Sequence, residues 1–118
     1  MSLTVQTEQH GDVVVLSIAG ELDMATAPQL QDQITDLLDS GQNRLVLDLS
    51  DVSFCDSTGL SVFVRAKNSC DEIGGEVRLA APQRGVRRIL EVSGLIEVLH
   101  TYPTVGEAVA ADSAPASS

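Results

Sequence analysis

Val52-Ser53-Phe54-Cys55-Asp56-Ser57-Thr58-Gly59-Leu60-Ser61-Val62 is the stretch whose reading decides the fold. An apolar strand closes at Cys55, a small polar turn Asp56-Ser57-Thr58-Gly59 follows, and a helical pattern opens at Leu60. A strand that feeds a helix through so short a turn is the joint of an α/β fold. Its turn lies at the carboxyl edge of the sheet, where open α/β folds place their working groups and where a helix N-terminus tolerates negative charge. Ser57 is therefore the first candidate functional residue.

On the amino side of this joint, Arg44-Leu45-Val46-Leu47-Asp48-Leu49 is a β-favouring run that Val52, Phe54 and Cys55 extend or resume. Earlier, Leu3 to Glu8 alternates apolar or β-branched with polar residues. His10-Gly11-Asp12 then supplies turn chemistry before the doubly apolar run Val13 to Ala19, so a β-hairpin with a buried second strand is predicted. Gly20-Glu21-Leu22-Asp23 breaks the strand pattern. Thr26-Ala27-Pro28-Gln29 reads as a capping box, with Thr26 at the cap, Gln29 three residues on and Pro28 in the first turn. Ala27, Leu30, Ile34, Leu37 and Leu38 then recur at helical spacing up to Ser40-Gly41. Strand, helix and strand in this order predict a right-handed βαβ unit.

On the carboxyl side, Leu60, Phe63, Ala66, Cys70 and Ile73 define a second amphipathic helix, stopped by Gly74-Gly75. Glu76 to Ala80 is the next strand, and Pro82 begins a loop. Val86, Ile89 and Leu90 mark a third helix ending at Ser93-Gly94, with Arg84, Arg87 and Arg88 on its outer side. Ile96 to His100 reads as a last short strand, and Thr104-Val105-Gly106-Glu107 as a second capping box before Ala108 and Val109. The Ala-, Ser- and Pro-rich residues 111–118 cannot bury apolar surface and are expected to form a disordered C-terminal tail, leaving one domain over residues 1–110. The order ββαβαβαβα predicts an α/β fold. Its mixed, mostly parallel sheet has an antiparallel first strand and is covered by amphipathic helices.

Composition narrows the function. A chain of 118 residues with 43% hydrophobic content supports one modest core, built mainly from aliphatic residues because Phe54, Phe63 and Tyr102 are the only aromatics. Seventeen acidic against seven basic residues give a net charge of −10, which repels a phosphate backbone and argues against a nucleic-acid partner. Residues 1–64 carry ten carboxylates (Glu8, Asp12, Glu21, Asp23, Asp32, Asp36, Asp39, Asp48, Asp51 and Asp56) and one cation, Arg44. Such a surface is either a solvated acidic face or a docking surface for a basic protein patch. No signal peptide or apolar run of about 18 residues is seen, so no membrane association and a cytoplasmic location are expected. Cys55 and Cys70 flank most of the second helix, on the order of 20 Å apart, too far for a disulfide. They read as two small buried residues, with redox sensitivity of Cys55 left open. No metal-ligand spacing, P-loop or dinucleotide fingerprint is present, so no metal and no cofactor are expected.

Three chemistries remain for the central turn. A hydrolase using Ser57 needs a base, and only His10 and His100 are available; the turn also lacks a Gly-x-Ser-x-Gly elbow. A receiver-like domain would be phosphorylated on Asp56, but the acidic pair expected after its first strand is missing. A third possibility makes Ser57 a substrate. A phosphate there adds about −1.5 to −2 charges next to Asp23 and Asp56 and acts as an electrostatic switch on binding. The plainest alternative is that Ser57 only caps the helix.

Gly20-Glu21-Leu22-Asp23, Phe54-Cys55-Asp56-Ser57-Thr58-Gly59-Leu60, Gly74-Gly75 before a strand and Ser93-Gly94-Leu95 together resemble the anti-sigma factor antagonists of the STAS domain family. The resemblance runs from about residue 3 to residue 110. It implies a non-enzymatic protein that binds an anti-sigma factor of the serine kinase type and so frees a sigma factor. The kinase would phosphorylate the first serine of the motif, Ser57, to end the interaction, and a phosphatase would reset it. Asp23 and Asp56 would line the partner-binding surface, with Thr58 and Gly59 shaping its turn. Met24-Ala25 replaces a more polar pair found in some relatives, and Cys55 stands where a larger apolar residue is common. An interaction module of a larger stress-signalling complex is the other reading within this family.

Overall fold

The computed structural model describes residues 2–111. Of the tail expected at residues 111–118, all but Ala111 lies outside the described residues. The chain forms β1 (Leu3–His10), β2 (Val13–Leu22), α1 (Ala27–Asp39), β3 (Arg44–Cys55), α2 (Ser57–Glu72), β4 (Glu76–Ala80), α3 (Arg84–Val92), a 3-10 turn (Leu95–Glu97), β5 (Thr101–Tyr102) and α4 (Val105–Ala110). Its five-stranded sheet has the order β1-β2-β3-β4-β5, with β1 antiparallel to β2 and every other pairing parallel. This is the α/β class and the mixed sheet that the sequence predicts.

Alternation along the strands divides the core in two. On one face Val14, Leu16 and Ile18 of β2 lie beside Leu45 and Leu47 of β3 and Val77 and Leu79 of β4. Leu30 and Ile34 of α1, Phe63, Ala66 and Cys70 of α2, and Val86 and Leu90 of α3 cover them. On the other face Val13, Val15, Val46 and Ala80 pack against Ala108 of α4, with Tyr102, Val105 and Val109 at the margin. Arg78 projects into this smaller core and is 2% exposed. Its guanidinium donates to the Ala108 carbonyl at 2.8 Å and lies 2.7 Å from the Glu76 carboxylate, which fastens the last helix to the sheet. Thr104 caps α4 by accepting from the Glu107 amide at 3.1 Å, the forward half of the capping box the sequence predicts.

Two elements differ from the sequence reading. The second strand does not end at Ala19 but continues through Gly20 and Glu21 to Leu22. Register shifts between Ser17 and Ala19 and between Gly20 and Glu21 absorb the irregularity that the residue pattern shows as a break. Gly20 sits at φ +118, and a Cβ there would lie 2.2 Å from the Ser2 carbonyl oxygen, so the glycine lets the strand pass beside the N-terminus. The strand expected at Ile96–His100 is instead the 3-10 turn at Leu95–Glu97, and pairing begins only at Thr101. Gly94, at φ 80, turns the chain so that Leu95 and Ile96 pack sideways against the main core.

The long third strand positions the site. Its last pairing with β4 is Asp48 opposite Ala80, yet it runs on to Cys55, held there by β2 through Leu22 opposite Cys55. Two paired strands thus project past the rest of the sheet, and the loops leaving them, 23–26 and 56–59, share one edge.

Candidate functional site

Helix α2 begins at Ser57, three residues before the apolar pattern that announces it. Asp56 is its cap: with extended backbone (φ −102, ψ −171), its Oδ1 accepts from the amides of Thr58 at 2.9 Å and Gly59 at 3.3 Å. The reading of Ser57 as the cap is therefore corrected, because the carboxylate one residue earlier takes the amides a serine oxygen would have used. Ser57 is the first helical residue, and it is exposed. Its carbonyl accepts from the Ser61 hydroxyl at 3.0 Å. Asp56 and Thr58 are half-buried and Gly59 is buried. A Cβ on Gly59 would stand 2.7 Å from Cys55 Sγ and 2.8 Å from Leu22 Cγ, so the glycine lets the helix start rest directly on the ends of both projecting strands.

The neighbouring loop is closed by its own side chains. Asp23 Oδ1 accepts from the amides of Ala25 at 2.9 Å and Thr26 at 3.1 Å, while the Thr26 hydroxyl accepts from the Asp23 amide at 3.0 Å and donates to the Glu21 carbonyl at 2.7 Å. The capping box expected at Thr26 does not form, since its buried hydroxyl faces back into this loop and bonds no helix amide. The Asp56 amide then donates to the Leu22 carbonyl at 3.1 Å, which joins the two loops. Asp23, Asp56, Ser57 and Thr58 are brought to one edge.

Several other candidates are not. His10 ends β1 beside Val13, at the opposite end of β2 from Leu22. The His100 carbonyl accepts from Leu79, which pairs with Leu47; from that level β3 rises eight residues to Cys55, roughly 26 Å at about 3.3 Å per residue. Neither imidazole meets the Ser57 hydroxyl, so the Ser57–His100 pairing of a hydrolase is not made. No group of three or more His, Cys, Asp or Glu side chains suited to a metal ion occurs among the described residues. No helix there is long and apolar enough to cross a membrane.

Cys55 and Cys70 are buried free thiols. Burial, and then the Asp56 charge, push the Cys55 thiol up to about 12; burial, with Asp71 and Glu76 adding, pushes Cys70 to about 11. A thiol held protonated at neutral pH lacks the thiolate that redox and alkylation chemistry requires. Cys55 thus acts as packing beneath the turn.

Two residues at this edge were missed as surface groups. Met24 is 76% exposed in the loop after β2, and Phe54, read as an extension of its strand and as the first residue of the family motif, is 49% exposed. The signal was alternation: with Val52 and Cys55 both inward, an extra residue must be accommodated between them, and Phe54 turns outward opposite Glu21.

The STAS domain family model matches residues 4–108 of this chain. The chain belongs to the STAS domain family. An "Anti-sigma-F factor antagonist RsfB" of Mycobacterium tuberculosis is 34% identical over 110 residues, covering 92% of this chain and 88% of the relative. Among solved structures, an anti-sigma factor antagonist from Mycobacterium paratuberculosis is similar at a TM-score of 0.85 and 32% identity, with 92% of each chain covered. The anti-sigma factor antagonist SpoIIAA, solved in its unphosphorylated form, is similar at a TM-score of 0.77 and 25% identity, covering 90% of this STAS domain and 93% of SpoIIAA.

Proposed function

We propose that this STAS domain is an anti-sigma factor antagonist. It binds a serine-kinase anti-sigma factor in the cytoplasm, thereby frees a sigma factor, and is released when the kinase phosphorylates Ser57. A phosphatase acting on that phosphoserine restores binding. The observation that carries the reading is the exposed Ser57 hydroxyl on the residue directly after a capping carboxylate. Because Asp56 already occupies the Thr58 and Gly59 amides, a phosphate on Ser57 gains little from the helix N-terminus and remains a surface charge beside an existing one. The names borne by the M. tuberculosis relative and by SpoIIAA support the same assignment.

Asp23 and Asp56 carry the negative potential of the contact, with Thr58 at its margin and Gly59 seating the helix beneath it. A cationic partner surface complements this edge before phosphorylation and is still attracted to it afterwards. Release therefore arises from the bulk and hydration of the new phosphate within the contact, where removing a dianion from water is costly.

The test is transfer from ATP. A kinase-type anti-sigma factor should label the wild type but not Ser57→Ala, and Ser57→Glu should bind it at least about tenfold more weakly. The label should survive acid, as a phosphoserine does and an acyl phosphate on Asp56 does not. Stoichiometric labelling of Ser57→Ala would overturn the assignment.

A further inference from the structure

We infer that Met24 and Phe54 form the apolar anchor by which this edge holds its partner, and that the partner presents an apolar pocket with a basic rim. The inference rests on the antagonist reading above and adds to it the residues that supply affinity. Met24 follows the strand whose Leu22 stands opposite Cys55, and Phe54 is the residue before that cysteine, so the two side chains leave adjacent strand ends. Both are among the large apolar residues left exposed; Met24 lies in the loop that carries Asp23, and Phe54 lies near the end of the strand that leads into Asp56 and Ser57. Two large apolar side chains left in water on neighbouring strand ends give this edge apolar surface that a partner would bury.

The charge around them selects the occupant. Glu21 stands opposite Phe54 in the register, Asp23 and Asp56 each lie within two residues of one of the two side chains, and Asp51 precedes Phe54 by three on the same strand, so this edge is rich in carboxylates. Asp23 and Asp56 bond backbone amides rather than cations, so their charge is not neutralised at this edge. A second copy of the chain would set one acidic rim against another. A basic rim around an apolar pocket meets both demands, steering the encounter by charge and holding it through buried aromatic and thioether surface. The arrangement also explains the placement of Ser57. A phosphate written there must be desolvated for the anchors to seat, so a local charge opposes burial of the whole apolar centre.

The probe is the purified kinase-type anti-sigma factor that labels the wild-type chain with ATP, and binding is followed by calorimetry at two salt concentrations. Met24→Ser and Phe54→Ser should each weaken binding at least about tenfold, with thermal unfolding little changed because both positions are exposed. Val92→Ser, on α3 at a site about as exposed as Met24, should bind like the wild type. Asp23→Asn, which keeps the Oδ1 acceptor of its loop, should instead lower the salt dependence. Binding of both serine variants within about twofold of wild type, while Ser57 is still labelled, overturns the anchor and leaves the antagonist reading standing. If no kinase-type anti-sigma factor of the source genome binds or labels the wild type, both fall together. A wild-type dimer in sedimentation equilibrium that Phe54→Ser dissolves would assign the surface to a second copy and overturn the proposed occupant.

Discussion

The backbone amide of Asp56 donates to the carbonyl of Leu22 across 3.1 Å, so the turn that starts α2 is tied to the strand that leads into the 23–26 loop. Both loops are closed by a carboxylate on backbone amides, Asp23 on one side and Asp56 on the other. The edge is pre-organised, which favours a switch that adds charge over one that refolds the turn.

Asp56 has two separable duties, capping and charge. Asp56→Ala should lose about 1–2 kcal/mol of stability with the cap, whereas Asp56→Asn, also a good cap, should stay within about 0.5 kcal/mol of wild type. Urea unfolding of the pair measures the cap. The asparagine variant, still folded, should show slower association with the anti-sigma factor at low salt and little difference at high salt.

Gly59 is fixed by packing. Gly59→Ala places a Cβ 2.7 Å from Cys55 Sγ and 2.8 Å from Leu22 Cγ, and should cost about 1–3 kcal/mol as the side chains beneath shift. Adding Cys55→Ala removes the nearer obstacle, so the double variant should recover part of the loss. A double-mutant cycle in urea checks this, with additive losses counting against the contact.

Much of the fold was legible because periodicity is a strong signal: the apolar series in α1 and α2 each bury one definable face, and the doubly apolar β2 buries both. The site was legible as a position, since Ser57 could be placed at a strand-to-helix turn from the residues alone. Its geometry was not. Asp56, Ser57 and Thr58 are all acceptable caps, and only the backbone of Asp56 settles which oxygen meets the amides. Gly20 read as a stop because a glycine that ends a strand and one that lets a strand pass a neighbouring carbonyl look alike in sequence. Ile96 to His100 misled for a related reason, its β-favouring composition being outweighed by the turn at Gly94 and the packing of Leu95 and Ile96.

The last helix depends on one buried cation. Arg78→Met keeps most of the buried volume but removes the bond to the Ala108 carbonyl and leaves Glu76, which retains some exposure, without its ion pair. A loss of about 1–3 kcal/mol is expected. Hydrogen exchange should quicken in α4 and over Val13, Val15 and Val46 while amides of α1 and α2 keep their protection.

Alkaline pH should weaken the fold through the two thiols. Both have folded values above the ordinary 9.0, Cys55 near 12 and Cys70 near 11. Below about pH 9 the thiols are protonated in folded and unfolded chains alike, and they contribute nothing to pH dependence. Above it the unfolded chain releases protons that the folded chain retains. The unfolded state then binds fewer protons, and the stability present at lower pH declines. By pH 10 each thiol should cost roughly 1 kcal/mol, the decline continuing toward the folded values near 11 and 12. Cys55→Ala and Cys70→Ala should each flatten the stability profile between pH 9 and about 11 relative to its own value at pH 7, whatever the substitution costs in packing. An unaltered slope in both variants would mean that the thiols titrate alike in the folded and unfolded chains. At about pH 8, an alkylating reagent should modify either cysteine only as fast as the protein opens, because the buried sulfurs offer no thiolate to attack it.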